Sequence, residues 1–153
     1  VIILNIIKEC LEAGMTTDKS PDIHEYYVKT WFMGEPNPIP ATSLPAGTIS
    51  STTPETRETV FPGMDTVTET ITIRLYSHSA RKAEEELITA LGYTKINAMV
   101  DRALELLRTD PVFGCRVVTS RIISVNRQYP ASPDALFRVG EIILQVQRRV
   151  LWG

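Results

Sequence analysis

The last third of this chain constrains its fold most. Arg116 to Arg127 and Leu136 to Val150 alternate in character, and Gln128-Tyr129-Pro130-Ala131-Ser132-Pro133-Asp134 reads as the turn that joins them. In the first stretch Val117, Thr119, Arg121, Ile123 and Val125 alternate with Val118, Ser120, Ile122 and Ser124. In the second, Ile142, Leu144, Val146 and Val150 alternate with Ile143, Gln145, Gln147 and Arg149. A helix-period segment, Thr94 to Arg108, comes just before. Its Ile96, Met99, Val100, Ala103, Leu104 and Leu107 form the strongest periodic signal in the chain. Thr94 is placed to cap it and Asp110-Pro111 to close it. A helix followed by a large two-stranded ribbon predicts a small α+β domain. Its sheet would have one face covered and one face free.

Upstream, Ile2, Ile3, Ile6, Ile7, Cys10 and Leu11 fall on one helical face, and Gly14 sits where a C-terminal cap belongs. The spacing predicts a helix over 1–13. Tyr26, Tyr27, Val28, Trp31 and Phe32 favour a strand over about 25–33, stopped by Gly34. Thr66 to Tyr76 alternates cleanly, with Val67, Glu69, Ile71, Ile73 and Leu75 on one face and Thr68, Thr70, Thr72, Arg74 and Tyr76 on the other. Ser77 or Ser79 would cap a helical run from Ala80 to Leu91, ended by Gly92. Residues 34–66 are rich in Pro, Ser and Thr and read as a long irregular loop. The segment is either disordered or an arm or extended hairpin that orders against a neighbouring subunit. The expected architecture is one α+β domain over 1–153: a mainly antiparallel sheet with a long C-terminal β-ribbon, packed on two or three helices.

Charge is unevenly distributed. Residues 1–112 carry ten basic and sixteen acidic side chains, whereas 113–153 carry six Arg against Asp134 and Glu141. Arg pairs bidentately with carboxylates and is enriched at protein interfaces. An acidic front and a basic ribbon suit head-to-tail contact between copies of the chain; the alternative is a solvated sheet face. The net charge of −2 argues against general nucleic-acid binding. No stretch approaches the roughly 20 apolar residues that cross a bilayer, so no membrane partner is expected. The start, Val1 to Lys8, is apolar but short and lacks a basic flank and a cleavage site. It is not expected to be a signal peptide, and a Met is expected ahead of Val1. Cys10 and Cys115 lie far apart without metal spacing and read as small hydrophobes.

Motifs for chemistry are missing from the sequence. His24 and His78 are the two histidines, and neither belongs to a metal-binding pattern. Consecutive residues on a helix point in different directions, so Glu84-Glu85-Glu86 reads as a solvated face rather than an acid–base dyad. No glycine-rich phosphate loop and no nucleophile elbow occurs. Catalytic, metal and cofactor-binding residues are therefore expected to be none. The competing reading is a small enzyme with a pocket under loop 45–65, using His24, His78 and the Arg of the ribbon.

This order of elements resembles the tail terminator and tail completion proteins of tailed bacteriophages. Asp110-Pro111-Val112-Phe113-Gly114-Cys115-Arg116-Val117-Val118 looks like that family's link between its last helix and its ribbon. Phe137-Arg138-Val139-Gly140-Glu141-Ile142-Ile143-Leu144-Gln145-Val146 looks like its closing strand. The likeness is architectural and covers most of 1–150; the Ser/Thr/Pro-rich stretch 45–65 departs from leaner members. It implies a virion protein, assembled in the host cytoplasm, that forms a ring of commonly six copies on the head-proximal end of the tail tube. Its partners would be itself, the tail tube protein and a neck or head-completion protein. Genome DNA would pass through the lumen without sequence-specific binding. A portal-proximal head-completion adaptor is the related alternative. The expected contact surfaces are loop 45–65, strand 67–76 and the ribbon, with Ile49, Arg57, Arg74, Arg121, Arg127, Arg138, Arg148 and Arg149 as contact residues.

Overall fold

A computed structural model describes residues 2–15, 28, 30–34, 46–51, 54–78, 86–114, 117–127 and 137–151. The expected features at His24, Ser79, Glu84-Glu85, Cys115-Arg116 and the turn 128–134 lie outside them, as do the side chains of His78, Glu86 and Arg138. The described chain is α+β. Two helices, α1 (Ile2–Met15) and α2 (Glu86–Thr109), accompany six strands: β1 (Thr30–Met33), β2 (Ala46–Ser51), β3 (Thr56–Phe61), β4 (Met64–His78), β5 (Thr119–Asn126) and β6 (Phe137–Leu151). The strands form one sheet in the order β1-β2-β4-β6-β5, with β3 also paired to β4. Every pairing is antiparallel except β1 with β2.

The spine of the sheet is the β4–β6 pair, fifteen residues long in each strand and in register from Met64↔Leu151 to His78↔Phe137. At ~3.3 Å per residue it is about 50 Å long. Two strands share the other edge of β4. β2 lies along Ile71–Tyr76, and β3 lies along Met64–Thr68. The two helices cover only the β2 end of the spine. There Ile71, Ile73 and Leu75 of β4 and Ile142, Leu144 and Val146 of β6 meet Met99, Val100 and Leu107 of α2 and Ile7 and Leu11 of α1 in one buried core. The helix stripe expected over Ile96–Leu107 is buried throughout. So is the expected β4 face Val67, Glu69, Ile71, Ile73 and Leu75.

Several expectations are corrected. Helix α1 runs through Gly14 to Met15. A Cβ at Gly14 would lie 2.5 Å from Leu106 of α2, so this glycine lets two helices approach and does not cap one. Cys10 packs half-buried against the core, as a small hydrophobe would. Likewise Gly92 and Thr94 lie inside one continuous α2, not at a break between two helices. A helix tolerates an interior Gly at about 1 kcal/mol, and the buried face that follows offsets this. Strand β1 is shorter than the expected 25–33; of the residues before it, Val28 is described, buried and bonded through its N–H to Met15 O at 3.0 Å.

The expected irregular loop 34–66 contains strands β2 and β3 and the start of β4. Its extended-hairpin reading fits the described part better than its disordered one. Finally, the alternation in β5 breaks. A bulge between Ile122 and Ser124 resets the phase, so Ile122 and Val125 both pack on the core while Ile123 is 48% exposed.

The link from α2 to β5 is a tight turn. Gly114 N–H donates to Asp110 Oδ2 at 2.8 Å, and Phe113 N–H to Asp110 O at 3.2 Å. Phe113 adopts a left-handed φ of 49° and is buried. Its ring anchors the turn, which offsets the steric cost of that conformation. Ser120 Oγ donates to Pro111 O at 2.6 Å and ties β5 to the same turn.

Candidate interaction surface

Beyond the helices the sheet continues as a three-stranded wing: β3, the start of β4 and the end of β6. All six residues of β3 are exposed. Pro62-Gly63 makes the tip, with Gly63 at φ 91°, a value that suits Gly at the third position of a type II turn. A bulge at Val60 sits beside this turn. Register then lines up an apolar row across the three strands, Phe61↔Met64↔Leu151. Val60 and Phe61 are each 52% exposed and Leu151 is 75% exposed. Those residues lie on the face opposite the helices, since they alternate in phase with Thr66 and not with Val67.

On its other face the wing is tied down by charge. Arg148 places Nη2 at 2.6 Å and Nε at 2.9 Å from Glu69 Oε1, and Nη2 reaches Glu55 Oε2 at 3.5 Å. Arg57 Nε donates to Glu55 Oε1 at 2.8 Å, and its Nη1 lies 3.6 Å from Asp65. Asp65 also accepts from Thr59 Oγ1 at 3.0 Å. The result is a chain of alternating sign, Glu69–Arg148–Glu55–Arg57–Asp65. The hydrogen bond from Arg57 holds the Glu55 carboxyl below its ordinary range, and the same bond raises the Arg57 guanidinium. Val67 is fully buried yet lies outside the helix-covered core among the described residues; its cross-strand neighbours are Arg57 and Arg148. Their aliphatic stems are placed to shield it while the guanidinium heads stay with the carboxylates.

A groove lies at the far end of the sheet, between α2 and the edge strand β5. It measures about 720 Å³, with Leu104 and Val125 on its floor and Asp101, Glu105, Arg108 and Arg127 on its rim. Arg127 Nη2 bonds Asp101 Oδ1 across it at 2.6 Å. A smaller hollow of about 340 Å³ adjoins it, lined by Leu107, Pro111, Ile122 and Leu144.

The residues expected to make contacts are placed unequally. Ile49 is fully buried in the core under the helices and offers no side chain to a partner. Its place on β2 between β1 and β4 is the reason, and that strand was hidden in the sequence by its Gly, Ser and Thr. Arg57 and Arg148 belong to the charge chain of the wing. Arg74 pairs with Glu141 at 2.9 Å on the helix-free face. Arg121 donates to Gln145 Oε1 at 2.9 Å, and Arg127 closes on Asp101. Arg138 lies in β6 opposite Ser77. Arg149 is exposed and forms no ion pair among the described residues. Part of the charge asymmetry is thus satisfied inside the chain: Arg127 and Arg148 take Asp101, Glu69 and Glu55 as partners.

The wing tip was not singled out in the sequence. The signal for it was Pro62-Gly63, a turn dipeptide between Thr59-Val60-Phe61 and Met64. Among the described residues no three His, Cys, Asp or Glu side chains gather to hold a metal, and no helix is long and apolar enough to cross a membrane. No protein-family model matches this chain, and no curated protein matches it.

Proposed function

We propose that this protein is a structural subunit of a bacteriophage virion that joins copies of itself into a ring, of six by the family's habit, at the head-proximal end of the tail tube. The ring ends tube polymerisation and presents a surface to the neck or head-completion proteins, and DNA passes through its lumen. It works by binding, without turnover. The observation that supports this reading best is the wing. An ordered ribbon that extends past its own core and carries Val60, Phe61 and Leu151 into solvent is costly for an isolated domain. Burial of those side chains between subunits removes that cost. A heterologous contact of this kind closes into a ring when its rotation permits, and closure stops further growth. The order of elements, α1 through the β5–β6 ribbon, adds its resemblance to the tail terminator family.

The test mixes the purified chain with assembling tail tube protein from the same virion. A closed multimer by native mass spectrometry, seated at tube ends in electron micrographs, is the expected result. A chain that stays monomeric and leaves tube length unchanged refutes the reading.

A further inference from the structure

We propose that the wing tip of one copy docks into the α2–β5 groove of a second copy; this rests on the ring reading above and names the two surfaces that make the ring.

The tip cannot reach the groove of its own chain. Val125 and Asn126, at the groove, pair with Ile142 and Glu141 of β6, while the tip ends at Leu151. Ten residues of one paired strand separate Glu141 from Leu151, about 33 Å. An apolar projection at one end of the sheet and an apolar-floored groove at the other are the two halves of a head-to-tail contact. A two-fold contact between tips would cover Phe61 and Leu151 but leave the groove empty.

Charge fixes the orientation. One row inward from Phe61↔Met64↔Leu151, on the same face, register sets Glu58 and Arg149 on either side of Thr66. Both are exposed, and neither has an ion-pair partner among the described residues. The helix side of the groove carries Glu105 and Arg108, one turn apart and both exposed. Asp101 and Arg127 close on each other and Glu105 is shared with Arg102 at 3.3 Å, so each surface presents an exposed acid and an exposed base beside its apolar patch. A single docking direction sets Glu58 towards Arg108 and Arg149 towards Glu105; the reverse sets like charges together, which costs specificity and affinity.

The test uses the full chain. In a Cys10→Ala, Cys115→Ala background, a Phe61→Cys variant is mixed with an Arg108→Cys variant and oxidised. The proposal expects a 61–108 disulfide between copies. A multimer that gives no 61–108 cross-link overturns the docking while leaving the ring reading intact; a chain that forms no multimer defeats both. A second arm needs no oxidation. Arg108→Glu should raise the subunit dissociation constant at least tenfold, and adding Glu58→Arg should restore it to within about threefold of the starting value. An unchanged constant for Arg108→Glu, or a double variant weaker than the single, overturns the proposal. Phe61, Glu58 and Arg108 are exposed, so their variants keep the fold; circular dichroism of the Cys10→Ala, Cys115→Ala background checks that the starting chain is folded.

Discussion

The charge chain on the wing makes a quantitative prediction at Arg148. Glu69 has a side chain only 10% exposed, and Arg148, 32% exposed, supplies it with two short donor contacts. Arg148→Met keeps the length of the stem over Val67 and removes the charge alone. A buried carboxylate stripped of its partner typically costs ~3–5 kcal/mol. Because water reaches the outer side of Arg148, we reduce this to about 2–3 kcal/mol. For a chain of this size that lowers Tm by about 4–12 °C. Replacing both partners, Glu69→Met with Arg148→Met, leaves no orphaned charge and should cost under about 1 kcal/mol. Urea unfolding followed by circular dichroism of both single variants, Arg148→Met and Glu69→Met, and of the double gives the costs, and the double-mutant cycle gives a coupling of about 1.5–3 kcal/mol. The reasoning fails if Arg148→Met costs less than about 0.5 kcal/mol, or if the two single costs simply add.

Three further predictions follow from packing, backbone and charge. A Cβ at Gly140 would sit 2.6 Å from Val100 Cγ2, on a stiff, fully buried side chain of α2; Gly140→Ala should destabilise by about 1–2 kcal/mol net of its unfolded-state benefit but be neutral or stabilising in a Val100→Ala background, and stabilisation of the native chain by Gly140→Ala would contradict this contact. Gly63→Ala forces a Cβ into φ 91° and should weaken the wing hairpin by about 1 kcal/mol, seen as faster amide exchange at Thr56–Phe61 with exchange in α2 unchanged; equal effects in both would contradict a local turn. The Glu55 carboxyl is held below its ordinary 4.5 by Arg57, so its contribution is complete above the unfolded carboxylate value and is lost as pH falls through the lower folded one; amide protection in β3 should therefore fall on acidification below about 4.5, and constant protection down to pH 2.5 would remove the link.

What could be read in the sequence was whatever faces the core. The α2 stripe from Ile96 to Leu107 and the alternation in β4 and β6 carry the burial pattern directly, because one face of each meets apolar atoms. Even Glu69, anomalous on an apolar face, is explained by its position where the helices end and Arg148 takes over. β2 was illegible because its residues are small for a tertiary reason: a Cβ at Gly47 would lie 2.4 Å from the Trp31 ring that packs over it. β3 was illegible by periodicity because neither of its faces meets the core, so nothing selects for alternation. Only its turn was marked. The bulge at Ile123 left no trace, since Ile122, Ile123 and Val125 fit either phase equally well. The candidate surface was legible in outline, as a ribbon with Arg; that Arg148 pairs with Glu69 within the chain depends on register, which one strand alone does not encode.

On the proposed function, this chain closes on copies of itself through its wing. Native mass spectrometry of the intact chain beside a Phe61→Asp, Leu151→Asp variant tests it most directly. A wing contact should give a closed multimer for the first and a folded monomer, by circular dichroism, for the second. Equal masses for the two would contradict it.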